Sequence, residues 1–359
     1  MHVVVCGQIR HIACAKALLV RLARARRAGH VQAAIWVVWT NQADLAASLA
    51  AAVPEAVERL VVIDEPELTS PGHFFHQVRS LDAGLADVDP SDFVLRLRPD
   101  VFIEDDFFET VGWQMKSGGR SLWTPYADLT APFFACDIIF GGRAGAIGQQ
   151  SNYSMEPYVI ALPPVSSRAP AAVTSHEPEI QRWLHPVREE DQIMQAYWST
   201  FPSFGLATRL RRELVKRYQK WDFYNAIRLR WLDYILENVS LGGLGKGARA
   251  GLVRADDMNA TECSLWLLQD FTTPASGSAQ TIMDAEPGGF VWTSDLEAVG
   301  ALRRSLATET PVLSDWSPRD VLHELGEIRR AAQQALLGSA SEGLRLPFKM
   351  PTVTYRDTN

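Results

Sequence analysis

The stretch DFVLRLRPDVFIEDDFF, residues 92–108, places two guanidinium groups, Arg96 and Arg98, one residue apart in a run of strand formers that stops at Asp100. A carboxylate at the end of a central strand can ligate a hard divalent ion such as Mg2+ or Mn2+, keeping positions open for a diphosphate. Arginines can offset the diphosphate charge where no ion is present. The alternative is a structural ion network of Arg96, Arg98 and Asp100. The acidic run that follows, Glu104, Asp105 and Asp106, falls where a helix should begin. Carboxylates there favour the macrodipole, so they are not expected to be ligands.

A second candidate is the loop CGQIRH, residues 6–11, with one glycine, Gly7, the Gln8 amide and the Arg10 guanidinium. Such a loop can offer backbone N–H groups and a cation to a nucleobase or diphosphate, or it can be a plain surface turn. One glycine is too few for a GxGxxG fingerprint or a Walker loop, which disfavours a dinucleotide dehydrogenase and a P-loop kinase. An SAM-dependent methyltransferase is disfavoured for the same lack of glycine. His11, His73, His176 and His185 have no ligand partner at i, i+4, so an HExxH centre is not supported. Cys6, Cys14, Cys136 and Cys263 form no CxxC pair and are expected to behave as small hydrophobes rather than as disulfides or zinc ligands. Trp123, Trp183, Trp198 and Trp221 could stack on a sugar or a base, though a core position is commoner.

The elements that must position these residues alternate in type. HVVVC reads as a strand, HIACAKALLVRLARARRAG as a helix, and AAIWVVWT as a strand too apolar to have a wet face, hence central in a parallel sheet. QADLAASLAAAV is a helix, ERLVVIDE a strand, PGHFFHQVRSLDAGLADV a helix, and DFVLRLRPDVFI is expected to be one strand. This rhythm predicts a doubly wound α/β sheet with right-handed crossovers. Ligands of such sheets bind outside the carboxyl ends of the strands, which puts CGQIRH and RPDV on one edge. Further on, SLWTPY and DIIFGG read as strands with mixed neighbours. The Pro, Ser and Ala-rich ALPPVSSRAPAAVTS is a long loop or lid, and residues 189–238 are mostly helical. LGGLGKGARAG is a flexible turn, and SPRDVLHELGEIRRAAQQALL is a long helix.

At this level HQVRSLDAGLADVDPSDFVLRLRPDV resembles a segment of the WavE lipopolysaccharide-synthesis family. In it a Gln, a Ser three residues on and a Gly-Leu pair precede a strand ending in basic-x-Arg-x-Asp, here Gln77, Ser80, Gly84, Leu85, Arg96, Arg98 and Asp100. CGQIR is similar to that family's first strand and Gly-Gln-x-Arg turn, and CDIIFGG to its Asp-containing strand. The resemblance covers residues 1–150 and thins out beyond them. It implies a GT-A-like (Rossmann-like) glycosyltransferase using a nucleotide-sugar donor on a bacterial surface glycan. Donor-binding residues would be Gly7, Gln8, Arg10, Gln77, Arg79, Arg98 and Asp100, with Asp100 the candidate ligand for Mn2+ or Mg2+. Where a DxD motif is usual this chain has Arg98-Pro99-Asp100, which leaves metal dependence open, and His76 stands where an Arg is expected. Acid–base chemistry in an inverting enzyme would fall to Asp191 or Glu190 at a helix start, and Asp137 would bind donor or acceptor hydroxyls. Acidic residues in a first helical turn also need no catalytic reason.

The expected fold is therefore a GT-A-like, mostly parallel sheet flanked by helices with a C-terminal helical extension. Residues 1–150 would form the nucleotide-sugar half, 151–280 an acceptor-side half with lid loop and helices, and 281–359 the extension. The chain of 359 residues carries a net charge of −7, which argues against nucleic acid as a partner. Two basic clusters, RLARARRAGH and RLRRELVKRYQKW, read as solvated helix faces, with peripheral contact at the inner membrane as the second reading for the latter. No run approaches ~18 apolar residues and no signal-peptide pattern opens the chain, so a cytoplasmic protein is expected. A non-catalytic nucleotide- or glycan-binding module of the same fold is the rival to the enzyme.

Overall fold

A computed structural model of the chain describes residues 1–64, 74–129, 136, 138–148, 221–245, 248–268, 292–309 and 352–354. The first half alternates strictly: β1 (His2–Cys6), α1 (Ile12–Arg27), β2 (Ala33–Trp39), a 3-10 turn (Thr40–Gln42), α2 (Ala43–Ala52), β3 (Arg59–Ile63), α3 (Phe74–Leu85) and β4 (Phe93–Leu97). There follow β5 (Val101–Ile103), α4 (Phe107–Ser117), β6 (Leu122–Thr124), β7 (Ala127–Asp128), β8 (Ile139–Arg143) and the short α5 (Ala144–Gly148). The remainder supplies α6 (Trp221–Asn238), β9 (Val239–Leu241), β10 (Ala250–Arg254), β11 (Glu262–Leu267), β12 (Trp292–Thr293), α7 (Leu296–Glu309) and β13 (Thr352–Thr354).

Seven strands form the main sheet in the order β3-β2-β1-β4-β8-β6-β9. All are parallel except β8, which runs antiparallel to both its neighbours, β4 and β6. The strand period of two divides the side chains between two faces. Val3, Val5, Trp36, Val38, Leu95 and Leu97 join one core with α1, α2 and α4. On the other face Val4 and Val37 meet α3 so closely that a methyl at Gly84 would lie 2.5 Å from Val4 Cγ1 and 3.2 Å from Val37 Cγ2. All seven residues of β2 are buried between β1 and β3, as its unbroken apolar run predicts.

The run RLRPDVFI is not one strand. Pro99 has no N–H for a sheet ladder, and the chain turns there, with Val101 N–H donating to Arg98 C=O at 3.3 Å. β5 therefore leaves the main sheet and pairs antiparallel with β10 in a second sheet of order β13-β11-β10-β5. The antiparallel passage of β8 rests on glycine. Gly142 has φ +148°, and a Cβ there would meet Ser121 O at 2.2 Å. The seventh strand of the main sheet, β9, and three strands of the second come from beyond residue 150.

The first basic cluster is a paired helix face. Arg21 and Arg24 reach Asp105 at 3.5 and 3.3 Å, Arg26 reaches Glu58 at 2.9 Å, and Arg27 reaches Glu55 at 3.4 Å. Asp106 is the N-cap position of α4, so the acidic run does open a helix. The lid loop around residues 161–175, the second basic cluster over 209–220 and the tail helix over 317–337 lie outside the described residues. No helix among the described residues is long and apolar enough to cross a membrane.

Candidate functional site

Because β1, β2 and β4 are parallel, the loops that follow them emerge on one edge. After β1, Gly7 takes φ +123°, and a Cβ there would touch Pro99 Cδ at 3.5 Å and Arg98 Cγ at 3.8 Å, so the two loops are in contact. Ile9 is fully buried, and its N–H donates to Gln42 Oε1 at 2.8 Å while Gln42 Nε2 donates to the Ile9 C=O at 3.0 Å. One amide from the end of β2 thus satisfies both backbone groups of a buried loop residue. Its neighbours Gln8 and Arg10 are left exposed.

After β4 the Arg98 fork grips Asp100. Nε donates to Oδ1 at 2.8 Å and Nη2 to Oδ2 at 2.5 Å, a bidentate charge-assisted pair. Arg10 Nη1 lies 3.8 Å from the same Oδ2. The Asp100 side chain is 1% exposed, that of Arg98 19% and that of Arg10 49%, so the carboxylate forms a floor and the guanidinium groups a rim. Arg96 does a different job. It is buried, with Nε directed to Cys6 Sγ at 3.3 Å, Nη1 to Ile138 O at 3.4 Å, and its guanidinium 5.4 Å from the Phe140 ring. The structural reading fits Arg96, and the Arg98–Asp100 ion pair fits it as well, although Arg98 stands at the rim where a ligand could reach it.

At the β2 end of this edge α3 begins. His76 packs edge-on against Trp39 at 5.2 Å, and Ser80 Oγ donates to the His76 C=O at 2.7 Å. Gln77 Nε2 is buried with no hydrogen-bond partner among the described residues, and Arg79 is half-buried on the same turns. Beside them Thr40 Oγ1 donates to Asp64 Oδ1 at 2.8 Å, tying the loops after β2 and β3 together.

Two further residues lie near this edge. Gln42 follows a strand whose carboxyl end lies on this edge, so the rule that singles out CGQIRH points to it as well. Arg254 has no such signal. It ends β10, whose pairing with β5 lets Val253 N–H donate to the Asp100 C=O at 2.9 Å. The Arg254 guanidinium stands 5.4 Å from the Trp266 ring centroid, and the residue is exposed. Burial, then repulsion from Arg98, holds the Arg10 guanidinium below its ordinary pKa; Arg254 adds to this and Asp100 opposes it. His11 serves structure here. Its Nδ1 accepts from Cys14 N–H at 3.2 Å to cap α1, and its Nε2 reaches the Ala260 C=O at 2.8 Å.

A concavity of about 290 Å³ opens beyond β6 and β9, on the same edge, lined by Pro125, Tyr126, Leu244, Leu268, Ser294 and the glycines at 243 and 245. Among the described residues its lining carries no charged side chain. Tyr126 stacks on Trp292 with centroids 4.9 Å apart and planes 13° from parallel. Trp123 is core, buried and donating to Gln114 Oε1 at 3.1 Å. Asp137, Glu190 and Asp191 lie outside the described residues.

A hard divalent ion needs several oxygen ligands. Asp100 offers one carboxylate, both of whose oxygens accept Arg98, and no group of three or more His, Cys, Asp or Glu assembles among the described residues. Those residues do not fit such an ion. Compared with known proteins, the chain matches no protein-family model and no curated protein.

Proposed function

We propose that the chain is a glycosyltransferase of GT-A-like fold that moves a sugar from a nucleotide-sugar donor to a bacterial surface glycan, lipopolysaccharide or capsule. The observation that carries the reading is the rim of Arg10 and Arg98 over the buried Asp100, at the carboxyl ends of β1 and β4. Counting main-sheet strands alone, their order is 3-2-1-4-6-5-7 with the sixth antiparallel. This departs from the 3-2-1-4-5-6 order of dinucleotide-binding sheets and suits a GT-A-like fold, an argument by analogy of fold.

Transfer breaks the bond between the anomeric carbon and the diphosphate oxygen and forms one to an acceptor hydroxyl, whose proton a base removes. Negative charge grows on the departing diphosphate, where guanidinium groups fixed in advance stabilise it most. Gln8 and the buried Gln77 amide supply further donors on that edge. The aromatic-flanked concavity beyond β6, lined among the described residues by uncharged side chains, suits a sugar of the donor or acceptor. The base is assigned to Asp191 or Glu190, and Asp137 to a sugar hydroxyl. The work would take place on the cytoplasmic side of the inner membrane, with the second basic cluster as a peripheral contact.

The Arg98–Asp100 pair, in place of two carboxylates, favours a second reading, a binding module that kept the site without turnover. Incubation with a panel of nucleotide sugars, reading released nucleoside diphosphate, separates the two. Turnover of one donor is expected. Binding of a donor without release would favour the module, and neither binding nor release would contradict both.

A further inference from the structure

We propose that the concavity beyond β6 and β9 binds one uncharged sugar ring of the acceptor glycan, laid against the backbone of Gly243 and Gly245. Naming that sugar the acceptor rests on the donor-site reading above; the sugar site itself does not. Glycine loses more chain freedom on folding than any other residue, so its use needs a reason: a positive φ, packing with no room for a Cβ, or backbone lying close to a ligand. Gly242, Gly243 and Gly245 follow β9, and none has a positive φ. Packing accounts for Gly242, where a Cβ would meet Trp123 Nε1 at 2.1 Å and Gln114 Oε1 at 2.3 Å. It does not account for the other two. Among the described residues a Cβ at Gly243 would meet only Ser294, Oγ at 3.6 Å and Cβ at 3.8 Å, and one at Gly245 would meet nothing within 4 Å. Both glycines line the concavity, as Ser294 does.

The lining selects the chemistry. Among the described residues its polar side-chain groups are the hydroxyls of Tyr126 and Ser294, with no cation to meet a phosphate or a carboxylate. Tyr126 is held by its stack on Trp292, and the Gly243 C=O is held by accepting from Gln114 Nε2 at 3.2 Å and from Gly245 N–H at 3.0 Å. A fixed aromatic ring, apolar walls and hydroxyls match a sugar, which has apolar C–H faces and hydroxyl edges. A volume of about 290 Å³ suits one ring rather than a nucleotide. Position separates acceptor from donor. The rim ends β1 and β4, whereas the concavity follows β6 and β9, two and three sheet steps beyond β4, or about 10–14 Å. A sugar joined directly to a diphosphate at the rim occupies the near part of that gap, so the ring in the concavity is the next one along.

The test is saturation-transfer NMR with the methyl glycosides of glucose, galactose, mannose and N-acetylglucosamine, on the wild type and on Gly243→Leu. Both proteins are also titrated by calorimetry with UDP, GDP, CDP, ADP and the glucose conjugate of each. An unchanged melting temperature will show that the variant is folded; if it is not, Gly245→Leu, whose Cβ enters open space, takes its place. Expected is saturation transfer to at least one glycoside, lost in the variant, while nucleotides and their glucose conjugates bind both proteins alike. No transfer to any glycoside, or transfer indifferent to the added side chain, overturns the sugar site and leaves the donor reading to the nucleotide titration. Glucose conjugates weakened by the variant beside unchanged nucleoside diphosphates would give the concavity to the donor's own sugar and overturn the acceptor assignment. Glycoside binding by a protein that binds none of the nucleotides keeps the sugar site and removes the donor reading, and the acceptor assignment with it.

Discussion

Gln42 is the side chain on which the shape of the first loop depends, since both halves of its amide are spent on Ile9. Gln42→Leu leaves a buried N–H and C=O unsatisfied, each costing about 1–3 kcal/mol unless water intervenes. The expected loss is about 2 kcal/mol in chemical denaturation, with weaker anion binding through a displaced Arg10. Unchanged stability and binding would show that the loop holds its shape without the amide. At this scale the sequence distinguishes residue types but not partners. Arg96 and Arg98 look alike in the run RLRPD, yet one is buried against Cys6 and Phe140 and the other grips Asp100 at the rim. Arg254 was illegible, because its place depends on the register of a strand pair formed far along the chain.

Elements were easier to read. The β-branched and apolar runs of β1 and β2 and the amphipathic α1 follow from period and composition alone. The break at Pro99 carried its own signal, the missing N–H, but the flanking apolar residues hid it. Where the freed β5 goes, to β10, lies beyond any local pattern, as does the antiparallel direction of β8. Gly84 shows what its Gly-Leu pair is for: α3 lies too close to Val4 and Val37 for a side chain. Gly84→Val should overpack this interface and cost about 1–3 kcal/mol, read as a lowered denaturation midpoint. A variant as stable as the wild type would mean that α3 can move off the sheet.

Across the whole molecule, two sheets share one strand break, and that break sets the rim. All four cysteines are described, all are buried, and none forms a disulfide, in keeping with the missing CxxC pairs. Burial pushes the Cys263 thiol up, which lowers its thiolate fraction at neutral pH. A chromogenic disulfide reagent should therefore find no fast-reacting thiol in the native protein and four after unfolding in guanidinium; a rapid native reaction would show that one of these sites opens. Long-range assembly also explains why the site was half legible. Gly7, Gln8, Arg10, Gln42, Arg98 and Asp100 sit near strand ends that the βα rhythm places on one edge, whereas Arg254 comes near it through the pairing of β10 with β5.

The central claim is that this edge binds a nucleoside diphosphate through its arginines. Equilibrium titration of the wild type and of Arg98→Ala with UDP, GDP, CDP and ADP tests it most directly. Losing the Arg98 fork removes a charge-assisted contact and strands the Asp100 carboxylate, so tight binding of one nucleotide by the wild type should fall by about 10–100-fold in the variant. Failure of the wild type to bind any of the four, or binding indifferent to Arg98, would contradict the account.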